Sequence, residues 1–221
     1  DGLDGEFTEG TVATVGATTE IHQLHTRVFD AVGRTHELVH PVKIDNTDPV
    51  DTTDPPEGWQ HDVVHVSVEG DDDDSGVGRV EWELDGVRGS GENGSTVSIG
   101  HGIHELRTRI IDAVGNATLW ATHEIKVDIA GPVDTTTVPS GWVTDAEEVV
   151  VQVSGEDPSG AGVELIEWKV TNTLTGVEIQ AGSAPGPGPV PLTISGDGVY
   201  KVETQLTDGV GDPSGWRTQY V

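Results

Sequence analysis

An acidic run is the segment whose residue types and spacing point most directly to chemistry. Four consecutive aspartates precede Ser75 and Gly76. Asp71, Asp73 and Ser75 supply side-chain oxygens at alternate positions, and Gly76 permits a sharp turn, as at the start of a calcium-binding loop. The spacing of an EF-hand would require a bidentate glutamate at position 82, where Trp82 stands. The run therefore predicts a calcium site, but not an EF-hand.

The elements that must position such a site belong to an internal repeat. Residues 21–33 recur as 103–115 and, more loosely, as 199–211. The other half of the repeat occurs twice, as three matching pairs of segments: 49–53 with 132–136, 58–59 with 141–142, and 80–82 with 166–168. The repeat predicts three domains: an incomplete one at 1–45, a complete one at 46–129 and a second complete one at 130–221.

The first domain lacks the tryptophan-containing opening half of the repeat. Half of a β-sandwich exposes an apolar face and open strand edges. We therefore expect residues 1–45 to be covered by other domains of a longer parent chain or by a neighbouring subunit.

Alternation of apolar and polar side chains indicates that each repeat is built from strands. Residues 64–68 and 103–111 follow a period of two, and no segment has the apolar stripe of a helix. Six or seven short strands per repeat are typical of a sandwich domain. We predict an all-β chain of tandem immunoglobulin-like or fibronectin III-like β-sandwiches. The Gly/Pro-rich insertion at 181–189 is predicted to be an extended surface loop.

Several short motifs occur in the same order in the repeats. They include the linker 45–49, the turn 56–59, the strand segment 80–82 and the segment 112–116. In these motifs the chain resembles the bacterial Ig-like domains that occur in tandem on surface and secreted proteins, including the OmpL47-like type. Asn116 keeps the Asp-x-x-Gly-Asn ending, whereas Arg34 and Asp212 depart from it. The resemblance implies a sandwich in a multidomain extracellular protein and no particular chemistry.

In a sandwich of this type, two loops meet at the end that receives the preceding linker. In 46–129 these loops carry the acidic run and Asp112, and the linker adds two carboxylates. Like charges this close repel by several kcal/mol, on the order of what a bound cation would relieve. The predicted calcium ligands are Asp45, Asp48, Asp71, Asp73, Asp74, Ser75 and Asp112. A Ca²⁺ ion there would stiffen the junction.

The next junction carries Asp128, Glu156, Asp157 and Asp208. This set has fewer carboxylates than the first. We therefore predict either a weaker metal site there, formed by Asp128, Asp157 and Asp208, or no site. A competing interpretation is that Asp112 and Asp208 cap turns through hydrogen bonds from their side chains to the backbone. Histidine pairs three residues apart, such as His22 and His25, point to opposite faces of a strand and do not converge on a metal.

Composition excludes several classes of function. The chain has 221 residues, with 39 acidic against 11 basic side chains and a net charge of −28. Such a surface repels nucleic acid, and the apolar runs are too short to insert into a membrane. The absence of cysteine excludes disulfides and thiol chemistry. The acidity fits bound cations, a high-salt habitat or simple solubility.

No catalytic motif occurs in the sequence, so we expect a protein that is not an enzyme. The leading hypothesis is an extracellular or cell-surface spacer built of rigid repeats. The second is an adhesin or a carbohydrate-binding accessory module, in which Trp59 and Trp142 contact a glycan or a surface protein. The third is a subunit of a surface layer, filament or virion, in which a neighbour completes residues 1–45.

Overall fold

A computed structural model describes residues 18–143 and 148–221 of the chain. These residues form β-strands joined by turns and bends, with no helix among them. The strands are rich in Val, Ile and Thr, whose branched side chains suit a pleated sheet. The predicted fold class, an all-β chain of immunoglobulin-like or fibronectin III-like sandwiches, is confirmed.

The same two stretches of chain contain no helix that is long and apolar enough to cross a membrane.

The first two strands form a hairpin of their own. β1 (Glu20–Phe29) pairs antiparallel with β2 (Thr35–Ile44) along its whole length. Among the described residues, no other strand joins the sheet that they form. A two-stranded sheet has marginal stability by itself, because it lacks a layer against which to pack.

The turn of this hairpin is closed by an aspartate. Asp30 Oδ1 accepts hydrogen bonds from the backbone N–H groups of Val32 (2.9 Å) and Arg34 (2.8 Å). Most side chains of the hairpin are exposed, and Val28 and Phe29 are 65% and 61% exposed. The hairpin therefore presents apolar side chains to solvent.

The middle of the chain contains nine strands. They are β3 (Val50–Asp51), β4 (Trp59–Gln60), β5 (Val64–Val68), β6 (Gly70–Asp71), β7 (Val77–Leu84), β8 (Val87–Gly91), β9 (Ser95–Ile99), β10 (Gly102–Asp112) and β11 (Ala121–Val127). One sheet has the strand order β4-β11-β10-β7-β8, and two further pairs are β3-β6 and β5-β9. Asp85 and Gly86, with φ of 49° and 82°, form the two-residue turn from β7 to β8. Positive φ at both positions is the type I′ geometry that suits a twisted hairpin.

The described residues of the last part of the chain form eight strands. They are β12 (Val133–Asp134), β13 (Val149–Val153), β14 (Gly155–Glu156), β15 (Val163–Asn172), β16 (Glu178–Pro185), β17 (Val190–Ile194), β18 (Tyr200–Asp208) and β19 (Arg217–Tyr220). The main sheet has the order β16-β15-β18-β19, and β12-β14 and β13-β17 form pairs. The side chains of Val151, Ile166, Leu192 and Leu206 lie at 0% exposure in one apolar cluster.

The long strands β10 and β18 each end in a buried residue. Buried residues alternate with half-buried ones along β18, and the buried ones are Tyr200, Val202, Thr204, Leu206 and Asp208. The corresponding buried residues of β10 include Leu106, Thr108, Ile110 and Asp112. Because side chains alternate between faces at each residue, each inward-facing column ends in a buried aspartate.

By its internal contacts the chain divides into two compact units. The first comprises the described residues up to Thr53 together with 68–95 and 107–121. The second comprises 54–67 and 96–106 together with the described part of 122–221. The predicted division into repeats at 1–45, 46–129 and 130–221 stays a prediction.

The Gly/Pro-rich insertion differs from its prediction. Residues 181–185 belong to β16, which pairs with β15 in the register Trp168↔Gly182, and the loop proper is confined to 186–189. β16 lies at the edge of its sheet, where a proline at the strand end removes no ladder hydrogen bond. The prediction of a loop was therefore wrong for 181–185.

Candidate functional site

Three aspartates from separate parts of the first unit form an acidic cluster. Asp45 follows the end of β2, Asp72 follows β6, and Asp112 is the last residue of β10. One carboxylate oxygen of each lies within 4.8 Å of those of the other two. Asp112 is buried (3% exposed), whereas Asp45 and Asp72 are half-buried. We call this set the first cluster.

Asp112 also caps the turn that follows β10. Its Oδ1 accepts hydrogen bonds from the backbone N–H groups of Val114 (3.0 Å), Gly115 (2.5 Å) and Asn116 (2.8 Å). Its Oδ2 accepts a further bond from Asn116 Nδ2 at 2.7 Å. Turn capping and membership of an acidic cluster, which the sequence left as alternatives, coexist in this side chain.

Asp45 and Asp72 are held by the turn at 72–76. Asp72 Oδ2 accepts a hydrogen bond from the Gly76 N–H (2.6 Å), and Asp45 Oδ2 accepts one from the Ser75 N–H (3.1 Å). Asp45 Oδ1 is bound by the Thr47 N–H at 2.9 Å. Hydrogen bonding by the Ser75 side chain, followed by that of the Thr47 backbone, holds the pKa of Asp45 below its ordinary value. Asp45 is therefore poised to stay ionised.

The structure brings together only part of the predicted first set. Asp45 and Asp112 lie in the same cluster, but four predicted carboxylates are exposed and outside it: Asp48, Asp71, Asp73 and Asp74. The third member is Asp72, which the alternate-position pattern passed over. The chain turns sharply here, so the capping bond to Gly76 selects Asp72 and directs its side chain inwards. Ser75 contributes its backbone N–H to Asp45.

A sequence signal could have found Asp72. The segment Gly70-Asp71-Asp72 aligns with Gly155-Glu156-Asp157 of the next repeat, so a carboxylate recurs at this position. Comparison of the repeats is more informative here than resemblance to a calcium loop, because repeats share their backbone path.

The second cluster is the counterpart of the first and contains Asp128, Asp157 and Asp208, all three of which were predicted as a set. They follow β11, follow β14 and end β18, respectively, and their carboxylate oxygens also lie within 4.8 Å of one another. Asp128 and Asp208 are both 0% exposed, and Asp157 is half-buried. The second cluster is thus the more deeply buried of the two, although the sequence suggested the weaker site here.

Backbone N–H groups hold the second cluster in place. Asp128 Oδ2 accepts a hydrogen bond from Ala161 (2.7 Å), and its Oδ1 accepts one from Ala130 (3.2 Å). Asp157 Oδ2 accepts one from Gly162 (2.7 Å). His101 Nδ1 lies 3.4 Å from Asp128 Oδ1, and its side chain is 30% exposed.

The carboxylates of the second cluster destabilise one another. Burial, reinforced by the charges of Asp128 and Asp208, raises the pKa of Asp157 above its ordinary value, despite the opposing Gly162 hydrogen bond. Two unit charges about 4.8 Å apart repel by about 3 kcal/mol at an effective dielectric constant of ~20. A bound cation is the direct way to offset this repulsion.

The chemistry of both clusters favours a hard cation. Each offers oxygen ligands from three carboxylates, and neither group includes a histidine or a cysteine. Carboxylate oxygens suit Ca²⁺, Mg²⁺ and Mn²⁺, whereas zinc and copper sites use nitrogen or sulfur. Ca²⁺ tolerates several carboxylates in an irregular arrangement. The residues present therefore fit the predicted Ca²⁺.

The two tryptophans predicted to contact a ligand differ in exposure. Trp59 begins β4 and is half-buried, whereas Trp142 is 91% exposed. Trp142 borders a groove of about 420 Å³ in the second unit, which is also lined by Val149, Tyr200 and Val221. Only Trp142 of the pair offers an open aromatic face in the described chain.

Comparison with known proteins adds little beyond the fold. No family model matches the chain. No curated protein matches it either. The OmpL47-like type therefore stays a resemblance.

Several solved structures are similar to the chain at low sequence identity and low TM-score. The fibronectin(III)-like modules of Clostridium thermocellum CbhA are 16% identical, with a TM-score of 0.38, over 77% of this chain and 92% of that one. A tetra-tandem repeat in the extending region of a large adhesion protein is 14% identical, with a TM-score of 0.39, over 89% of this chain and 55% of that one. A set of domains from titin is 13% identical, with a TM-score of 0.39, over 87% and 72%. At these scores the likeness carries no argument about function.

Proposed function

We propose that this chain is a non-catalytic extracellular spacer of tandem β-sandwiches, stiffened by Ca²⁺ bound at its acidic clusters. The observation that carries the proposal is the recurrence of three close carboxylates at equivalent places: Asp45, Asp72 and Asp112 in one unit, and Asp128, Asp157 and Asp208 in the other. In each cluster one aspartate follows a closing strand, one follows a short strand and one ends a long strand.

The position of the first aspartate of each cluster supplies the mechanical argument. Asp45 and Asp128 lie in segments that leave β2 and β11, and the other two members of each cluster lie further along the chain, one after a short strand and one at the end of a long strand. An ion shared by the three would fasten the departing segment to those two places. Fewer conformations of that segment mean a stiffer chain.

Small-angle X-ray scattering with added CaCl₂ tests the spacer proposal. We expect the chelator-treated chain to sample a narrower range of maximum dimensions when Ca²⁺ is added. The double variant Asp72→Asn with Asp157→Asn should lose this response. The control pair Asp73→Asn with Glu156→Gln changes exposed neighbours outside both clusters and should keep it. A wild-type profile that is insensitive to Ca²⁺ contradicts the proposal.

A binding role is the second candidate, supported by the exposure of Trp142. An aromatic ring that is 91% exposed beside a groove can stack against a sugar ring. A glycan array that compares the wild type with Trp142→Ala tests this role. Binding that disappears in Trp142→Ala supports an adhesin or carbohydrate-binding accessory module, and no binding by the wild type contradicts it.

Assembly is the third candidate, supported by the hairpin β1–β2. Val28, Phe29 and Val32 are 65%, 61% and 75% exposed, and a neighbouring subunit or a further domain of the same parent chain would cover them. Sedimentation equilibrium tests it. A concentration-dependent mass that the variant Phe29→Ser abolishes supports assembly into a layer, filament or virion, and a monomer at all concentrations contradicts it.

A further inference from the structure

The two acidic clusters differ at one informative position. Asn116 stands four residues after Asp112, and Asp212 stands four residues after Asp208. The two turns share two hydrogen bonds of the backbone. The N–H of Asn116 and that of Asp212 each donate to the Oδ1 of the buried aspartate at 2.8 Å. In return, the N–H of Asp112 donates to the carbonyl oxygen of Asn116 at 3.0 Å, and the N–H of Asp208 donates to that of Asp212 at 3.1 Å.

This exchange of asparagine for aspartate removes a donor from the second cluster. In the first cluster, Asn116 Nδ2 donates a hydrogen bond of 2.7 Å to Asp112 Oδ2. A carboxylate at position 212 has no N–H to donate. Asp208 Oδ2 is buried and has no hydrogen-bond partner in the described part of the chain. A buried carboxylate oxygen in this state is costly unless a cation satisfies it.

Two carboxylates of the second cluster pack directly against Gly160. A Cβ atom at this position would overlap both Asp128 Oδ2 and Asp157 Oδ2. Gly160 has no positive φ, so its backbone conformation does not require glycine. The missing side chain therefore lets two of the three carboxylates approach the backbone closely. This close approach and the unpartnered oxygen are independent observations at the same place.

We propose that Asp128, Asp157 and Asp208 form the principal Ca²⁺ site of this chain, with Asp208 Oδ2 as a direct ligand, and that the first cluster binds Ca²⁺ more weakly. This inference deepens the proposed function and rests on its assumption that the clusters bind cations. The sequence predicted the weaker Ca²⁺ site at the second cluster, and this proposal reverses that ranking. The number of nearby acids affects Ca²⁺ affinity less than the hydrogen-bond donors that already occupy the carboxylate oxygens.

The physical basis of the ranking is competition for Asp112 Oδ2. A cation at the first cluster competes with the Asn116 amide for this oxygen, whereas Asp208 Oδ2 has no such donor. Three buried or half-buried carboxylates exceed the one or two that Mg²⁺ usually takes from a protein, so Ca²⁺ is the better fit.

A reciprocal exchange of the two residues tests the proposal on the full chain. Isothermal titration with CaCl₂, after treatment with a chelator and its removal, should show one tighter and one weaker site in the wild type. Asp212→Asn restores an amide beside Asp208 and should weaken the tighter site at least tenfold. Asn116→Asp removes the amide beside Asp112 and should strengthen the weaker site. MgCl₂ in place of CaCl₂ should bind less tightly.

Two further variants connect the tighter site to the second cluster. Gly160→Ala and Asp208→Asn should each abolish the tighter site and leave the weaker one unchanged. Circular dichroism of each variant in chelator establishes that it remains folded. A tighter site that survives both Asp208→Asn and Asp212→Asn in folded protein overturns the proposal, as does a wild type with no measurable binding of Ca²⁺.

The failure of this inference can be separated from that of the spacer role. Tight binding at the second cluster without a change in X-ray scattering would leave the site standing and remove the stiffening. A scattering response to Ca²⁺ that persists in Asp208→Asn would support the stiffening and contradict the second cluster as the principal Ca²⁺ site.

Discussion

At the scale of single residues, each complete repeat holds a buried threonine against an aspartate. Thr108 is fully buried and donates a hydrogen bond of 2.6 Å to Asp51 Oδ2. Thr204, also buried, donates to Asp134 Oδ2 in the same way. Arg217 Nη1 binds the carbonyl oxygen of Asp134 at 2.8 Å. In each pair the threonine hydroxyl satisfies Oδ2 of an aspartate whose Oδ1 accepts a backbone N–H, that of Thr53 for Asp51 and that of Thr136 for Asp134.

We expect Thr204→Val to destabilise the second unit by about 1–3 kcal/mol, because it removes the hydroxyl from a buried carboxylate oxygen and keeps the side-chain shape. Urea unfolding followed by circular dichroism measures the change. The control is Thr193→Val on β17, whose side chain is exposed. Equal losses in the two variants would contradict this role of Thr204.

The charge of Glu83 gives a prediction about pH. Arg88 Nε donates to Glu83 Oε2 at 2.9 Å, and Arg107 Nη1 lies 3.4 Å from Oε1. The hydrogen bond from Arg88, with the positive charges of both arginines, lowers the pKa of Glu83 below 4.5. A lowered pKa in the folded state stabilises the fold above about pH 4.5, and this contribution is lost as the pH falls through the lowered pKa.

We therefore expect Glu83→Gln to be less stable than the wild type at pH 7 and equally stable at pH 2. Urea unfolding at several pH values measures the convergence of the two proteins. Glu57→Gln, at an exposed position, is the control and should follow the wild type throughout. A gap that stays constant down to pH 2 would show that the charge of Glu83 is not the cause.

At the scale of the elements, a tryptophan lies over a glycine of the adjacent edge strand in each sandwich. The registers are Trp82↔Gly89 between β7 and β8 and Trp168↔Gly182 between β15 and β16. Both tryptophans are half-buried. The missing side chain of each glycine lets the indole ring lie flat against the neighbouring strand.

We expect Gly182→Ala to destabilise the second unit by about 1–3 kcal/mol, because overpacking forces the ring of Trp168 to move. A Cβ at position 182 would lie 2.7 Å from Trp168 Cζ2. Tryptophan fluorescence should change together with the urea midpoint. Ser183→Ala, at the exposed neighbouring residue, should alter neither. Unchanged fluorescence in Gly182→Ala would contradict the contact.

At the scale of the whole molecule, the net charge of −28 has two separable consequences. General repulsion among exposed acids is screened by any salt, with a Debye length of about 8 Å at physiological ionic strength. The two clusters are short-range and partly buried, so screening by monovalent salt affects them less. A halophilic surface and a calcium-binding protein therefore respond differently to added ions.

We expect the melting temperature in chelator to rise gradually with NaCl, and to rise further with CaCl₂ at the same ionic strength. The double variant Asp72→Asn with Asp208→Asn should keep the response to NaCl and lose the additional effect of CaCl₂. Differential scanning calorimetry measures both. Identical effects of the two salts on the wild type would assign the acidity to general solubility alone.

Much of the fold could be predicted from local pattern. Alternation along 64–68 and 103–111 predicted strands, and the recurrence of whole segments predicted repeated domains, because strand periodicity is a property of neighbouring residues. The insertion at 181–189 was mispredicted in part, since its composition does not reveal that β16 lies at a sheet edge. Edge position depends on pairing with a strand that is distant in sequence.

The acidic run at 71–74 shows the same division between what the sequence predicts and what the tertiary structure decides. The sequence by itself determined that carboxylates gather near two recurring turns, including Asp112 and Asp208 at the ends of alternating strands. Only the tertiary structure decided that Asp72 and not Asp71 or Asp73 joins the first cluster. It also decided that Asp208 Oδ2 is buried without a donor. Burial and hydrogen-bond satisfaction depend on three-dimensional neighbours, and spacing along the chain does not encode them.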